Sequence, residues 1–355
     1  MVQPINVLLI GAVGDAVIEK IEAVDPRIRV ADARGKFEVE YAETWPAESV
    51  RRYVSKALVA ANTSTRAERD ALLAEAEVIC IRFPFPLDLR ARTPRLKWLH
   101  QTPAGASNLR MCDIWGSDVV VTTSRGLNNA LPIAEYVLSL IFLFAKSLPQ
   151  AFHDQNNQAF ERRAYRPILV QGKTVGIIGL GGIGSAVAHL AKAVGMRVVA
   201  TRRSAATSQS QTQGIDQLLP PSELAVLLEQ SDFVVVSTQW TLETDGLIGE
   251  TELRQMKPSA YLINVARGEI IEQAALTQAL QAGWIAGAGL DVYTGEFTGP
   301  PPEEIWQLPN VVITPHTSGG TDVQQAKGLE LFCENLRRYV SGQALLNVLD
   351  WERGY

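Results

Sequence analysis

Short apolar runs alternate along the chain with longer stretches in which apolar residues recur at helical spacing. In the first third of the chain, such runs predict four strands, at residues 6–10, 78–81, 96–100 and 119–121. Helical patterns over residues 47–60 and 66–75 lie between the first two of these strands. The alternation predicts one small open sheet of the α/β class.

A second, longer series of strands begins near residue 175. Its six apolar runs, separated by helical patterns, cover residues 175–178, 197–201, 233–237, 260–264, 287–292 and 311–314. Six strands with crossover helices suit a doubly wound sheet of the Rossmann type. The Ser-, Gln- and Thr-rich segment 205–214 is expected to form an exposed loop.

Two further helical patterns bear on how the chain is divided. Residues 131–146 are nearly all apolar, so this helix is expected to be buried on several sides, at a domain boundary or in an oligomer interface. It falls short of the roughly 20 apolar residues of a membrane span. Residues 324–339 form a helical pattern that can return to the first sheet. We therefore expect a Rossmann domain at residues 126–316 and a smaller flavodoxin-like α/β domain at residues 1–125 and 317–355.

A glycine-rich segment follows the first strand of the second series. It reads Gly179-Leu180-Gly181-Gly182-Ile183-Gly184 and opens a helical pattern. With a strand before it and a helix after it, the spacing is that of a dinucleotide-binding loop. Gly179 permits a tight turn, Gly181 a close approach to a pyrophosphate, and Gly184 close packing of helix on strand. The alternative is a glycine-rich turn without a ligand.

The residues after the next strand indicate which nicotinamide cofactor is preferred. A carboxylate at this place bonds the ribose 2′-hydroxyl and repels a 2′-phosphate. This chain instead has Thr201-Arg202-Arg203-Ser204, and two guanidinium groups beside hydroxyls match a phosphate dianion. We expect NADPH to be preferred, with NADH also possible. The alternative is a pair of solvated surface arginines.

Three residues with catalytic chemistry follow later strands of the same series. Arg267, Glu296 and His316 each come shortly after the end of a predicted strand. Because the carboxyl ends of parallel strands form the ligand crevice of such sheets, all three can converge on one cleft. Taken singly, His316 could be a packed core histidine and Glu296 a solvated carboxylate.

These residue types suit the interconversion of a 2-oxo acid and a 2-hydroxy acid. Arg267 can hold a carboxylate with its planar fork and polarise the neighbouring ketone oxygen. A histidine titrates near neutral pH, and a carboxylate beside it stabilises the imidazolium. His316 with Glu296 can therefore protonate the alkoxide as hydride arrives at carbon, and act as the base in the reverse direction. The hydride itself is carried by the nicotinamide.

On these motifs the chain resembles the D-isomer-specific 2-hydroxyacid dehydrogenase family over nearly its whole length. The motifs are the glycine loop, residues 264–268, Gly289-Leu-Asp-Val-Tyr293 and residues 309–316, in the family's order. The resemblance implies that Arg267, Glu296 and His316 form the active site. It also implies a substrate domain built from both chain ends.

The resemblance implies further contacts with substrate and cofactor. Ala104 and Gly105 occupy the loop whose backbone amides bind the substrate carboxylate in this family. Thr238, Val265 and Ala266 match backbone contacts to the cofactor, and Asp291 matches the partner of its carboxamide.

Three residues depart from the family pattern. Ser107 stands where an aspartate is common, and Gln239 and Phe297 stand where prolines are common. These departures bear on loop shape and substrate fit. They leave Arg267, Glu296 and His316 unchanged.

Composition and charge exclude several other classes of protein. Hydrophobic residues make up 46% of the 355 residues and the formal net charge is −5 without a basic cluster, so neither disorder nor nucleic-acid binding is expected. Three widely spaced cysteines argue against a disulfide framework or a zinc site, and no other metal cluster is apparent. The N-terminus lacks a secretion signal, so a cytoplasmic location fits.

We therefore expect a homodimeric reductase that prefers NADPH and converts a small 2-oxo acid of the glyoxylate or hydroxypyruvate type to a D-2-hydroxy acid. One alternative is an NAD-dependent dehydrogenase of the phosphoglycerate type. Another, from a different class, is a nicotinamide-dependent binding protein that resembles the family's corepressors, since motifs alone do not prove turnover.

Overall fold

The computed structural model describes residues 3–11, 15–125, 129–205, 209–212, 214–322, 324–352 and 354. Its strands are β1 (Ile5–Ile10), β2 (Ile28–Asp32), β3 (Val78–Ile81), β4 (Trp98–Gln101), β5 (Val120–Thr123), β6 (Thr174–Ile178), β7 (Arg197–Thr201), β8 (Gln209–Thr212), β9 (Ile215–Leu219), β10 (Phe233–Val236), β11 (Tyr261–Asn264), β12 (Gly287–Leu290) and β13 (Val311–Ile313).

The α-helices are α1 (Asp15–Glu22), α2 (Glu38–Thr44), α3 (Ala47–Tyr53), α4 (Lys56–Ala61), α5 (Arg66–Glu75), α6 (Leu89–Arg92), α7 (Ala130–Ala145), α8 (Leu148–Asn156), α9 (Gly182–Ala193), α10 (Leu224–Gln230), α11 (Glu250–Gln255), α12 (Gln273–Gln281), α13 (Glu303–Trp306) and α14 (Gln324–Val340). Short 3₁₀ helices cover Ser107–Met111, Arg162–Ala164, Pro221–Glu223 and Gly268–Ile270.

The chain divides into two compact units. Unit 1 comprises Met1–Asn128, Phe297–Gly299 and Asp322–Tyr355, and unit 2 comprises Asn129–Glu296 and Pro300–Thr321. The domain boundary expected after residue 125 adjoins residues 126–128, which lie outside the described residues. The assignment of a substrate domain and a cofactor domain stays a prediction.

Unit 1 is built on a parallel sheet with the strand order β2-β1-β3-β4-β5. Alternate side chains of β1 enter different hydrophobic clusters, Leu8 on one face and Val7 on the other. The cluster that contains Val7 also contains Phe332 and Leu336 of α14. The C-terminal helix therefore packs on the first sheet, because its apolar residues cover one face of β1.

Unit 2 is built on a sheet with the order β13-β12-β11-β10-β6-β7-β9-β8, in which only the pairing of β8 with β9 is antiparallel. The doubly wound α/β class is confirmed, with two strands more than the six expected. The expectation of a loop over residues 205–214 is wrong for β8, while residues 206–208 and 213 lie outside the described residues. A short polar strand at a sheet edge has no apolar alternation by which a sequence could reveal it.

The sequence also missed structure near the start of unit 1. Strand β2 and helices α1 and α2 were not predicted, and the single helix expected over residues 47–60 is two helices, α3 and α4. Val54 ends α3 with an extended backbone, and Ser55 caps α4 by accepting a hydrogen bond from the N–H of Leu58. A serine cap inside an apparently continuous pattern is enough to start a new helix.

One face of helix α7 is buried in unit 2, while Leu131 and Phe142 of the same helix are exposed. Ile133, Val137 and Leu140 belong to the cluster that also contains the apolar residues of β6 and α9. A methyl group at Gly289 of β12 would lie 2.7 Å from Leu140 Cδ1, so the glycine lets the helix approach the strand. Within the described ranges, no single helix is long and apolar enough to span a bilayer, and α7 with α8 meets that criterion only as a pair bent by 67°.

His100 of β4 is a fully buried histidine in the sheet of unit 1. Its Nδ1 lies 2.9 Å from Thr122 Oγ1, which also accepts a hydrogen bond from Trp98 Nε1 at 2.8 Å. Its Nε2 has no hydrogen-bond partner among the described residues. Burial lowers the pKa of His100 from 6.5 to about 3, because the imidazolium would lose its hydration.

We predict that His100 makes the stability of the protein depend on mildly acidic pH. The unfolded chain binds a proton at this histidine more tightly than the folded chain, so the stabilisation is present above pH 6.5 and is lost as the pH falls toward 3. Urea unfolding measures this effect. As the pH is lowered from about 6 to 4, the loss of the His100 contribution should reduce the free energy of unfolding by up to about 1.4 kcal/mol for each pH unit. The slope should be smaller in His100→Gln and unchanged in the exposed control His189→Gln. An identical slope in all three proteins would contradict the prediction.

Candidate active site

The glycine loop joins β6 to α9 and is shaped by two close backbone contacts. Gly179 has a φ of +97°, and a methyl group there would lie 2.7 Å from Thr238 Cα. A methyl group at Gly184 would lie 2.2 Å from the carbonyl oxygen of Gly179. Glycine is therefore needed at both positions, at the first for the left-handed turn and at the second for the packing of α9 on the loop.

The start of α9 fits the phosphates of a dinucleotide. Gly181 caps the helix, and a methyl group there would meet no heavy atom of the described residues within 4 Å. Gly182 and Ile183 form the first turn, where backbone N–H groups lack partners within the helix. Gly181 and Gly182 are exposed, and among the described residues this helix start has room for an anion at its positive end.

Arg202, Arg203 and Ser204 directly follow β7 and are all exposed. Strand β7 pairs in parallel with β6, so these residues lie at the same edge of the sheet as the glycine loop. The two segments are linked directly, because the Leu180 N–H donates to the carbonyl oxygen of Thr201 at 3.0 Å. The arginine pair is thus close to the loop expected to hold the cofactor.

The loop that carries Arg267 is organised by the buried amide of Asn264, at the end of β11. Asn264 Oδ1 accepts a hydrogen bond from the Ala266 N–H at 3.0 Å, and Nδ2 donates to the Arg267 carbonyl at 2.9 Å. Val265 and Ala266, the expected cofactor contacts, are buried within this turn. The Arg267 side chain is half-buried, and its Nη1 donates to the Ala266 carbonyl at 2.6 Å. Sequence reasoning identified Arg267 but missed the part that Asn264 plays.

Gly268 brings the arginine loop against the loop that follows β12. A methyl group at Gly268 would lie 2.0 Å from the carbonyl carbon of Tyr293 and 2.2 Å from the nitrogen of Thr294. The two backbones are therefore in direct contact, and only glycine fits between them. This contact holds the loop of Arg267 next to the loop that leads to Glu296.

His316 and Glu296 form a direct pair. His316 Nδ1 lies 3.1 Å from both carboxylate oxygens of Glu296. The Glu296 side chain is 3% exposed and that of His316 is 30% exposed, so the carboxylate lies behind the ring as seen from solvent. The geometry orients the imidazole through Nδ1 and makes Nε2 the nitrogen that can exchange a proton with a substrate.

Asp291 holds the loop on which His316 is mounted. Its Oδ1 accepts hydrogen bonds from Thr314 Oγ1 at 2.6 Å and the Thr317 N–H at 2.8 Å, and its Oδ2 accepts one from the Ser318 N–H at 2.9 Å. Its carbonyl oxygen accepts from the His316 N–H at 3.0 Å. No pattern in the sequence indicates that Asp291 holds this loop. The contact of Asp291 with a cofactor carboxamide, which the resemblance implies, stays a prediction.

Glu269 is a second carboxylate near the pair that sequence reasoning missed. It lies in the 3₁₀ helix that begins at Gly268 and is half-buried. Burial raises the pKa of Glu269, and the negative charge of Glu296 raises it further, against the N–H of Gly295 and the charge of Arg267. In the sequence, only the position of Glu269 two residues after Arg267 indicates that it lies near the site.

The remaining predicted residues lie in different parts of the molecule. Thr238 follows β10 and touches the glycine loop, as the contact with Gly179 requires. Ala104 and Gly105 follow β4 in unit 1, where the Gly105 carbonyl accepts a hydrogen bond from Gln101 Nε2 at 2.6 Å. The structure therefore groups Arg267, Glu296, His316 and the glycine loop within unit 2, and the expected substrate loop within unit 1.

The three departures from the family pattern differ in how they are held. Phe297, directly after Glu296, belongs to unit 1, where its carbonyl accepts a hydrogen bond from Ser49 Oγ at 2.7 Å and its ring lies 5.0 Å from that of Phe83. Ser107 begins a 3₁₀ helix, and the Gln239 carbonyl accepts a hydrogen bond from Thr244 Oγ1 at 2.6 Å. The backbones of Phe297 and Gln239 are thus held by side-chain hydroxyls, and Ser107 by its place in a 3₁₀ helix.

Metal ligation has no visible basis in the described part of the chain. Cys80, Cys112 and Cys333 are free thiols. In the described ranges, no three His, Cys, Asp or Glu side chains are grouped so that they could hold a metal ion.

Known proteins resemble this chain in sequence and in structure. A family model described as D-isomer specific 2-hydroxyacid dehydrogenase, NAD binding domain, matches residues 138–318. The glyoxylate reductase of Korarchaeum cryptofilum is 31% identical over 283 residues, which are 78% of this chain and 83% of that protein. The glyoxylate reductase of Thermococcus gammatolerans is 36% identical over 261 residues, which are 70% of this chain and 75% of that protein.

Among solved structures, a D-isomer specific 2-hydroxyacid dehydrogenase from Xanthobacter autotrophicus, in complex with NADPH and MES, superposes with a TM-score of 0.73. It is 26% identical, and the superposition covers 98% of this chain and 100% of that one. A similar structure from Aeromonas salmonicida has a TM-score of 0.77 and 25% identity, with 98% and 100% of the two chains covered. The similarity extends over both units.

We predict that the charge of Glu269 costs stability at neutral pH. Because the folded state binds a proton at this carboxylate more tightly than the unfolded state, the ionised form is disfavoured in the fold once the pH exceeds the raised pKa. Glu269→Gln should therefore melt at least about 1 °C higher than the unaltered protein at pH 8, and the difference should vanish toward pH 4. The exposed carboxylate in Glu304→Gln serves as the control and should show no such pH-dependent gain. A lower melting temperature for Glu269→Gln at pH 8 would count against the prediction.

Proposed function

The chain belongs to the D-isomer specific 2-hydroxyacid dehydrogenase family, and from this premise we propose that it uses NADPH to reduce a small 2-oxo acid of the glyoxylate or hydroxypyruvate type. The product is a D-2-hydroxy acid. The pairing of His316 Nδ1 with both oxygens of Glu296 at 3.1 Å, next to the Arg267 loop, is the observation that carries the proposal. Relatives named glyoxylate reductase support the substrate class.

Arg267 binds and polarises the substrate in this mechanism. Its half-buried guanidinium presents a planar set of donors that can hold the substrate carboxylate and reach the ketone oxygen. Negative charge grows on that oxygen as the carbonyl carbon is reduced, and a fixed cation stabilises it. The turn organised by Asn264 and the contact at Gly268 keep the guanidinium in place while this happens.

His316 supplies the proton that completes the reduction. A bound nicotinamide cofactor supplies the hydride. As the C=O bond becomes C–O⁻, His316 in its imidazolium form gives the proton of Nε2 to the oxygen, and Glu296 stabilises the positive charge through Nδ1. The neutral histidine then regains a proton from solvent. In the oxidative direction the neutral ring accepts the hydroxyl proton.

The glycine loop and the arginine pair support a preference for NADPH. The start of α9 has room for a pyrophosphate, and Arg202 and Arg203 lie exposed at the neighbouring strand end. Two guanidinium groups can hold the 2′-phosphate that NADH lacks. The related Xanthobacter enzyme is described in complex with NADPH. Binding of NADH at lower affinity is compatible with the same loop.

Self-association is supported by apolar side chains near α7 and α8. The exposed apolar side chains of this region are Leu131, Phe142, Leu148, Phe152, Phe160 and Leu169. All six lie in one stretch of sequence, and large apolar side chains that stay exposed favour burial against another protein surface. We propose a homodimer formed through this region.

The cytoplasmic location also stays a proposal, which the free cysteines support.

We predict that Arg267→Ala raises KM and lowers kcat/KM for glyoxylate or hydroxypyruvate by about three powers of ten or more, since one side chain both binds and polarises the substrate. Arg267→Lys should retain only a part of the wild-type kcat/KM, because the lysine ammonium lacks the planar pair of donors that a guanidinium offers. Steady-state consumption of NADPH measures both. Near-normal turnover by Arg267→Ala would remove Arg267 from the site.

We predict that wild-type turnover is faster with NADPH than with NADH at equal concentrations, and that Arg202→Ala/Arg203→Ala loses about tenfold or more of that preference. Arg163→Ala, an exposed arginine outside the site, is the control and should keep the preference. A wild-type preference for NADH would make the arginine pair surface charges and support the phosphoglycerate-type alternative. Binding of NADPH without turnover of any 2-oxo acid would favour the binding-protein alternative.

A further inference from the structure

A chain of hydrogen bonds connects helix α7 with the loop of His316. Tyr136, in the second turn of α7, has its hydroxyl 2.5 Å from Thr314 Oγ1. Thr314 Oγ1 in turn donates to Asp291 Oδ1 at 2.6 Å. A threonine hydroxyl has one proton, and this one is directed at the carboxylate, so Tyr136 must be the donor to Thr314. The order of donation is therefore Tyr136 to Thr314 to Asp291.

The end of this chain is the residue that holds the catalytic loop. Asp291 accepts the N–H groups of Thr317 and Ser318 and, through its carbonyl oxygen, that of His316. His316 has a φ of +57°, a left-handed conformation that costs energy for a residue with a side chain. Such a conformation persists only where the surroundings enforce it. The bonds to Asp291 are among the contacts that hold this loop, together with the pairing of His316 and Glu296.

Tyr136 is suited to act as a permanent donor in this chain. Its side chain is half-buried between α7 and the loop, and burial with the nearby charge of Asp291 raises the pKa of Tyr136 to about 12. The phenol therefore stays protonated at any pH at which the enzyme works. A donor that reaches Thr314 Oγ1 fixes the hydroxyl rotor so that the threonine proton points at Asp291.

We propose that Tyr136 is a positioning residue for His316, acting through Thr314 and Asp291. The inference rests on the proposed function, because it assigns Tyr136 a part in keeping the proton donor at the angle that the substrate requires. It also gives α7 a direct link to the site, since the buried face of this helix belongs to a core cluster of unit 2.

The first experiment compares two tyrosine-to-phenylalanine variants. Tyr136→Phe removes only the hydroxyl and should lower kcat about three- to tenfold, with KM and the Kd for NADPH within about twofold of wild type. Tyr261→Phe is the matched control, because Tyr261 is also half-buried in unit 2 and its ring stacks on that of Phe144 at a centroid distance of 4.6 Å. Tyr261 is the first residue of β11, so it lies away from the carboxyl ends of the strands. Its kcat should equal that of wild type. Equal kcat values for both variants and wild type would overturn the proposal.

A double-mutant cycle with Thr314 distinguishes positioning from a general effect on packing. Thr314→Val removes the middle of the chain and should lower kcat at least as much as Tyr136→Phe, whereas Thr314→Ser keeps the hydroxyl and should retain most of the activity. If Tyr136 acts through Thr314, the double variant Tyr136→Phe/Thr314→Val should be no slower than Thr314→Val alone. Additive losses would show that Tyr136 acts by another route, and the proposal would then be wrong.

A readout without turnover separates this proposal from the proposed function. Hydrogen–deuterium exchange of the peptide that contains Thr317 and Ser318 should be faster in Tyr136→Phe and in Thr314→Val than in wild type, and unchanged in Tyr261→Phe. Wild-type protein that consumes NADPH but shows no response to Tyr136→Phe in either assay would refute the positioning role alone. Wild-type protein without turnover, in which exchange still responds, would refute the proposed function and leave the hydrogen-bond chain established.

Discussion

The candidate site depends above all on the buried carboxylate of Asp291. Directly after β12, this side chain collects Thr314, Thr317 and Ser318 from the loop beyond β13. A single carboxylate can accept several hydrogen bonds in fixed directions, so it replaces the contacts that the loop would otherwise make with water. The same loop carries the left-handed backbone of His316 and its pairing with Glu296. Without the Asp291 carboxylate, the loops after β12 and β13 would carry Glu296 and His316 with fewer contacts to fix their relative orientation.

The site also depends on places where backbones meet without side chains between them. Gly184 lets α9 approach the glycine loop, and Gly268 lets the arginine loop rest on the loop after β12. These contacts hold the glycine loop and the arginine loop firmly against elements of the parallel sheet. Preorganisation of this kind matters for charge stabilisation, since groups that need not move when charge develops cost no reorganisation in the transition state.

Charge is distributed unevenly around the proposed reaction centre. Arg267 is the cation, and Glu296 and Glu269 are both carboxylates. Burial raises the pKa of Glu269, and the charge of Glu296 raises it further. Glu296 is matched by His316, whereas Glu269 sits in a half-buried place where its ionised form is disfavoured. A site that retains such a group gives up stability relative to a neutral replacement, which is common where function constrains composition. Within unit 1, by contrast, the buried His100 is neutral and belongs to the packing of the sheet.

The sequence by itself determined the α/β class, the glycine loop and the candidates Arg267, Glu296 and His316, because strong apolar runs mark parallel strands and ligand chemistry collects at their carboxyl ends. It could not reveal β8, whose polar residues lack alternation, or the break between α3 and α4, which a single serine cap produces. Only the tertiary structure decided how the site is supported. Asn264, Glu269 and Tyr136 act through hydrogen bonds and charges whose partners depend on how loops and helices pack. Tyr136 and Thr314 are 178 residues apart in the chain. No local pattern encodes a contact over that separation, so the fold had to bring the residues together before their parts could be seen.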